Sequence, residues 1–459
     1  MAAGTFRNWN GSATSTPRAV AAPREPDDLI GVVKDRDAYP SPIRAAGSFH
    51  SLNDCFVTTG TQVLMRGFDD IRVDLDSSTV TVGAGVPMVR IRDALRPHGM
   101  QTEVTPEIGN ATAGSVACCG TKDASIGTGL AQVSSSVIGV KLVNADGEIE
   151  TVTEETDPQR LRVIRSSYGL LGVVFEVTFP IQPVVTLRYD YEVFPLDPLP
   201  SQAELLGGAD GMLGALLPYA RRIAVERRYV VRGRRGRISR ASNLKRLARD
   251  KLWESGVSFF PTLLPYDWFY AVLDRSVVAI LRGLSGLGGF TARRYDSTID
   301  FKSRRRHYFD FTFWAVPVSR WPQFMPAYLA FCDDFRRETG FRASLLSEVY
   351  RMNRDDRSLL SPTVAEDSFT VDVTDTRVSD PRWAEFNRRF NDLVAGFDGR
   401  PLLNQTKELS GEIVHRTLGD DWKRFLEIRQ GEDPDGRFLN EYFRGLMEEP
   451  APISPSAGS

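Results

Sequence analysis

Two apolar spacings alternate along the first part of the chain. In "STVTVGAGVPMVRIRDALRPHGM", residues 78–100, Val80 and Val82 alternate with threonines as in a strand. After the turn Gly83 to Pro87, the apolar positions Met88, Ile91 and Leu95 take helical spacing, and Gly99 marks the end. "SSVIGVKLVNADGEIETV" holds two β-branched runs joined by Ala145-Asp146-Gly147, which predicts a hairpin. "YGLLGVVFEVTFPI" predicts a buried strand introduced by glycines. From about residue 186 the composition shifts toward aromatics and arginine. Strands are expected in "YFDFTFWAVPV" and "DSFTVDVTD", and a helix in "RWAEFNRRFNDLVAGF". "DPDGRFLNEYFRGL" reads as a turn followed by a short amphipathic helix, and only the final "PAPISPSAGS" looks disordered. No internal repeat is present. The expected fold class is α+β in two domains.

A chain of 459 residues suits two domains, each with its own apolar interior. Apolar content of 42% and charged content of 25% are those of a soluble globular protein, and a net charge of −2 gives no global attraction to nucleic acid. The four cysteines, Cys55, Cys118, Cys119 and Cys332, form no CxxC pair and no metal spacing. Reduced thiols in the cytoplasm, and no metal, are the expectation. The N-terminal stretch lacks a basic segment followed by an apolar run, so no secretory signal is expected. The apolar region 255–290 is interrupted by Pro261, Pro265, Asp267, Asp274, Arg275 and Arg282, whereas a membrane-spanning helix needs about 20 mostly uncharged residues. The arginine-rich run 221–251 lies just upstream. It fits a solvated face, and, beside an aromatic stretch, it also fits a peripheral membrane patch.

Three turns of the first domain cluster small residues: "AAGSFHS", "EIGNATAGSVACCGT" and "YGLLGVV". Such turns let the backbone approach a ligand closely, and successive N–H groups form concave sites for anionic oxygen, a diphosphate for example. Each alone fits a tight turn between strands equally well. No GxGxxG follows the first strand and no GxxxxGKS is present, so neither Rossmann nor P-loop binding is indicated.

Taken in order, "IRAAGSFHSLND", "VTVGAGVPMVRIRDAL", "VTPEIGNATAGSVACCGT", "VIGVKLVNADGEIETV" and "YGLLGVVFEVTF" resemble the flavin-binding half of the vanillyl-alcohol-oxidase superfamily of FAD-linked oxidoreductases. "NWNG" near the start, "EVYRMNRDDRSLLSP" and "DPDGRFLNEYF" are similar to stretches of its sugar-alcohol and aldonolactone oxidase branch. The resemblance implies a two-subdomain FAD-binding domain of the PCMH type over 1–185 and a mixed α+β substrate-binding cap over 186–430. It also implies a C-terminal segment, 431–459, that returns to the FAD domain. It carries over Gly47, Ser48, Phe49, His50, Ser51 and Asn53 as FAD-binding residues, with Gly109, Thr112, Gly114, Ser115, Cys118, Gly120 and Thr121, and with Val173 and Val174 toward the adenine end. In several members the histidine of the Gly-x-x-His-Ser turn is bonded to the 8α-methyl carbon of the flavin, and His50 matches it; noncovalent binding, with His50 bonded within the turn, is the alternative. Cys118 and Cys119 match no second attachment motif and are expected to pack near the isoalloxazine.

The branch implies two catalytic candidates, Arg351 in "YRMNRDDRSLLSP" and Lys407 in "DGRPLLNQTKELS". An ion pair of Arg351 with Asp355 or Asp356 is the competing reading. Several departures accompany them. Lys407 lies two residues farther from Arg400 than usual, a histidine-tryptophan pair is replaced by Leu402 and Leu403, and the acid two places before the arginine becomes Val349 with Glu348 adjacent. "GSVACCGTK" places Lys122 where many relatives have histidine and is similar to decaprenyl-phosphoryl-ribose oxidases, which bind flavin noncovalently. The leucines point to a less polar pocket with the aromatic strand as its floor. His98 and His415 are expected on helix surfaces, and His307 near the pocket. The implied activity is FAD-dependent oxidation of a CH–OH group on a sugar-like or natural-product small molecule, by hydride transfer to flavin N5, with oxygen or another acceptor restoring the flavin. A lipid-linked-sugar oxidase and a catalytically drifted flavin-binding scaffold are the alternatives.

Overall fold

In the computed structural model, residues 4–124, 127–231, 238–251, 267–286, 289–298, 309–343 and 346–448 are described. His307, the final "PAPISPSAGS" and much of the apolar region 255–290 lie outside them.

The first domain holds two sheets. A parallel three-stranded sheet runs Ala19–Ala21, Thr61–Leu64, Ile43–Ala46, with its central strand buried throughout. An antiparallel sheet runs Ile149–Thr153, Gly139–Val143, Val173–Pro183, Thr79–Gly83, Ile71–Asp74, and Met100–Thr102 pairs with the far end of its longest strand. The helix Met88–Leu95 buries Met88, Ile91 and Leu95 against this sheet and stops at Gly99, whose left-handed φ of 66° favours glycine. The hairpin forms as the β-branched runs predict. Val143 pairs with Ile149, and the Asn144 side-chain oxygen accepts from the Asp146 and Glu148 amides across the turn.

The strand Val173–Pro183 leads after two residues into Thr186–Pro195, the first strand of a large antiparallel sheet. The two aromatic runs expected as single strands are each broken once, into Asp310–Thr312 and Trp314–Pro317, and into Ser368–Thr370 and Asp372–Asp375. One face of the sheet is covered by the helices Trp321–Thr339 and Pro381–Ala395, which lay Phe324, Tyr328, Phe335, Trp383, Phe386 and Phe390 on Met212, Leu216, Ile223, Val225 and Val349. This core is rich in aromatic side chains that stack and tilt against one another. Part of the other face is covered by the helices Arg240–Lys251 and Asp267–Gly286, and part, through Leu213, Tyr350 and Met352, meets Ala124 and Ala131 of the first domain.

The segment 433–447 packs back on the first domain. Arg437, buried, donates to the carbonyls of Val32, Val33 and Tyr39, and the amide of Ile43 donates to the Arg437 carbonyl. No helix among the described residues is long and apolar enough to cross a membrane.

Candidate active site

A cleft opens where the glycine-rich turns meet. Its lining includes Gly47, Ser48, Phe49, His50 and Ser51 from the first turn, Thr112, Gly114, Ser115, Cys118, Cys119 and Thr121 from the second, and Tyr168, Gly169, Gly172 and Val174 from the third. Three turns spread between residues 47 and 174 thus form one wall, which a single tight-turn reading of each does not require. Two of the lining glycines have no room for a side chain. A Cβ on Gly47 would lie 2.0 Å from Thr112 Oγ1, and one on Gly114 would lie 2.8 Å from Ala84 Cβ. Thr112 and Ser115 hydroxyls bond each other at 2.7 Å, Ser48 Oγ donates to the Asn110 carbonyl at 2.6 Å, and Phe49 takes a left-handed φ of 56° that turns the chain toward His50.

Not every residue carried over from the resemblance reaches this cleft. The Asn53 amide donates to the Leu403 and Thr406 carbonyls and to the Tyr442 hydroxyl, so it fastens the cap loop to the first turn. The Gly109 carbonyl accepts from the Val89 amide, the Gly120 carbonyl accepts from the Asn404 and Gln405 side chains, and Val173 packs into a core with Val143 and Phe175. Leu402 and Leu403 are buried in apolar clusters and are not among the lining residues of the cleft, although Leu403 packs in the cluster that contains the lining residues Cys55 and Tyr168. His98 is exposed as expected, whereas His415 is half-buried between the Met447 carbonyl and the edge of Trp422.

The two catalytic candidates also stand apart from it. Side chains of a strand alternate between its faces, so in Ser347–Met352 the residues Val349 and Arg351 point away from the first domain. Val349 joins the helix-covered core, and Arg351 pairs with Asp367, not with Asp355 or Asp356. Lys407 Nζ donates to the Leu52 carbonyl at 2.6 Å and lies 3.3 Å from the buried Asp310 carboxylate, lining a separate cavity with Asn10 and Asp380. Gln405, at the usual spacing from Arg400, lines the cleft instead, with Asn404.

A polar cluster, of which the sequence analysis singled out only Lys122 and Glu348, adjoins the cleft at its lining residues Thr121 and Phe311. Glu348 and Tyr350 share the face opposite Arg351. Lys122, next to the lining residue Thr121, pairs with buried Asp372 and stands 3.8 Å from Glu348. Its ammonium lies 4.5 Å from the centre of the Tyr350 ring and 5.4 Å from that of Phe311, which itself lines the cleft. The Tyr350 hydroxyl donates to Glu107 at 2.9 Å, and Glu107, Arg228, Glu226 and Arg249 continue as buried pairs of alternating sign at 2.6, 2.8 and 2.9 Å. Burial lowers the Lys122 pKa and raises that of Glu348, each countered in part by the other's charge. A cation and an acid with displaced pKa values at a cleft wall can polarise a hydroxyl and take its proton. The available signal was the period of two in "SEVYRM" together with the lysine in "CCGTK".

Comparison with known proteins decides the family. An FAD binding domain model matches residues 17–153, and the D-arabinono-1,4-lactone oxidase model matches residues 177–446. The chain belongs to the D-arabinono-1,4-lactone oxidase family. Relatives of this family member include the L-gulono-1,4-lactone dehydrogenase of Mycobacterium tuberculosis, 24% identical over 96% of this chain and 99% of the relative. The L-gulonolactone oxidase of Mus musculus is 22% identical over 96% and 98%, and the D-arabinono-1,4-lactone oxidase of Eremothecium gossypii is 26% identical over 57% and 50%. Among solved structures, cholesterol oxidase from B. sterolicum superposes with a TM-score of 0.75 over 97% of this chain and 96% of that one, at 14% identity, which shows a common fold.

As a member of this family the protein is an FAD-dependent oxidoreductase, and its cleft fits that cofactor. The side-chain oxygens of Asn404 and Gln405 are buried there with no hydrogen-bond partner among the described residues, as acceptors awaiting the N–H edge of a ring would be. Arg44, also lining the cleft, is buried with its guanidinium bonded only to carbonyls, those of Cys55, Tyr168, Gly169 and Phe438. No carboxylate among the described residues pairs with it, so its charge is left for an anion such as the cofactor diphosphate. His50 lines the same wall beside Trp9, and burial lowers its pKa to about 4. Its imidazole is therefore neutral above that pH and carries a free lone pair.

Proposed function

We propose that this protein oxidises a CH–OH group of a neutral sugar lactone, with Lys122, Glu348 and Tyr350 handling the substrate. The bound FAD supplies the hydride acceptor. The observation that carries the reading is the Lys122 cluster standing at the Phe311 edge of a cleft that His50 also lines. In this scheme the Lys122 ammonium and the Tyr350 hydroxyl hold the substrate oxygens. Glu348 receives the hydroxyl proton as the carbon-bound hydrogen departs, and its raised pKa makes it a stronger base than an exposed carboxylate. Burial against Phe311 and Phe313 keeps water from the ammonium.

The charge of the cluster points to a neutral substrate. Glu107, Glu226, Glu348 and Asp372 face Lys122, Arg228 and Arg249, so the site holds one acid in excess and none of its cations is spare for a carboxylate. L-gulono-1,4-lactone and D-arabinono-1,4-lactone, named by the relatives, are neutral; the corresponding ring-opened aldonates are not. The test is anaerobic mixing of the yellow protein with each lactone and with each sodium aldonate. Bleaching of the flavin by a lactone, with no bleaching and no competition by its aldonate, is expected. Bleaching by the aldonate, or by no lactone at all, would remove the reading.

We also infer that His50 holds the flavin covalently at its 8α position. Support comes from the neutral imidazole, which is the nucleophilic form, on a turn that Phe49 aims into the cleft. Acid-precipitated protein is expected to stay yellow, and His50→Ala to give a colourless pellet and a yellow supernatant. With its pKa lowered to about 4, His50 stays neutral as pH falls from 8 to 6. The rate at which apoprotein gains acid-stable flavin should therefore be flat over that interval. A midpoint near 6.5, the ordinary imidazole value, would refute the burial argument.

A further inference from the structure

Exposed large apolar side chains are unevenly spread over the molecule. Nine stand exposed among the described residues, and seven of them lie between positions 230 and 280. Five belong to two helices, Arg240–Lys251 and Asp267–Gly286. Single exposed leucines are ordinary on a protein surface, but a concentration of this kind marks a contact face.

Both helices cover the same side of the cap sheet. Arg249 of the first reaches Glu226 and lies over Tyr189, while Val277 and Val278 of the second pack on the cluster that contains Tyr189 and Tyr191. Their inner faces are thus satisfied by the sheet. Their outer faces carry large apolar side chains among polar ones such as Asn243 and Ser276, where a solvated helix would be polar throughout. Leu244 and Leu247, three residues apart, stand out from the first helix, with Leu244 69% exposed. Trp268, Val272 and Ile280, at spacings of four and eight, form one stripe along the second, with Trp268 64% exposed.

Among the described side chains, the exposed charges on these outer faces share one sign. Arg240, Arg275 and Arg282 are exposed, while the acids Asp250 and Asp274 are half-buried and paired with Arg246 and Arg342. A protein partner of mixed charge would not select for this. A tryptophan and aliphatic residues flanked only by arginines match an anionic lipid surface, where the rings and chains enter the headgroup region and the guanidiniums meet phosphates. Neither helix can span the bilayer, so the contact is with one leaflet.

We propose that the outer faces of the helices Arg240–Lys251 and Asp267–Gly286 seat the protein on an anionic membrane surface. The proposal does not rest on the substrate reading, since none of these residues touches the cleft.

The test is sedimentation of the full-length flavoprotein with vesicles of phosphatidylcholine alone and of phosphatidylcholine with phosphatidylserine, at low and high salt. The wild type is expected in the pellet with the anionic vesicles, less so at high salt, and in the supernatant with the neutral ones. The double variant Trp268→Glu/Ile280→Glu should lose binding by about ten-fold or more, since two apolar insertions and the charge match are both removed. Its flavin absorbance and melting temperature report that it is folded. A wild type that stays in the supernatant with both vesicles overturns the proposal. So does a folded double variant that binds as well as wild type, or a concentration-dependent dimer that the variant abolishes, which would assign the face to a second copy.

Discussion

Replacing Lys122 by methionine should leave a yellow, folded protein whose flavin is reduced by a lactone about a hundred-fold more slowly, or worse. The size follows from removing a charged donor aimed at the reacting oxygen in a water-poor site, a change that costs about 10²- to 10³-fold in rate. Methionine keeps the length and most of the volume of the side chain, and Phe311, Phe313 and Tyr350 already surround it with apolar surface. The variant also leaves buried Asp372 without its partner, so a lower melting temperature is expected beside the slower reaction, and the rate is read on the folded, flavin-bound protein. Stopped-flow bleaching of the flavin band checks it, and an unchanged rate would take Lys122 out of the chemistry. The pH profile supplies a second readout. Burial lowers the Lys122 pKa, so its charge, present at lower pH, is lost as pH rises, earlier than for an exposed lysine. Lys122→Arg keeps its charge throughout and should remove that alkaline fall. Lys407→Gln, by contrast, should leave the rate of flavin reduction near wild type, because its ammonium is committed to the Leu52 carbonyl and Asp310.

The second large effect is expected at Arg44. Its guanidinium joins the carbonyls of Cys55, Tyr168, Gly169 and Phe438, which come from three distant parts of the chain. Arg44→Met would remove this donor from the Tyr168, Gly169 and Phe438 carbonyls, at a cost of about 1–3 kcal/mol for each that finds no other donor, while the Cys55 carbonyl keeps Asn440. A loss of at least about 3 kcal/mol of stability is expected, seen as a lower melting temperature. If the uncompensated charge also faces the cofactor diphosphate, FAD added in excess should raise the melting temperature of the variant less than that of wild-type apoprotein. Equal melting temperatures with and without the substitution would contradict both parts of the argument.

The elements of the first domain could be read from the sequence because each is written locally. Met88, Ile91 and Leu95 form a helical stripe, and the Asn144 to Glu148 turn carries its own side-chain hydrogen bonds. The order of the glycine turns, matched to a family, indicated the flavin cleft. The catalytic side was less legible, since it depends on which face of a strand looks at the cofactor. A shift of one residue exchanges the faces, so Arg351, which aligns by its neighbours, points at Asp367, while Tyr350 meets Lys122. Glu107, Lys122 and Arg228 lie far apart in the chain, and only the closed fold makes them neighbours. The period of two in "SEVYRM" shows which strand residues share a face, but not which distant residues that face meets.

The fastening of the first domain by the last part of the chain has a consequence for biogenesis. Phe438 supplies one of the carbonyls that Arg44 holds, and Arg437 fills the space between the helix Pro26–Lys34 and the strand Ile43–Ala46. A nascent polypeptide still on the ribosome has the glycine turns long before it has these residues. Cofactor loading is then a post-translational event, and an early truncation should yield an open apoprotein that chaperones must hold.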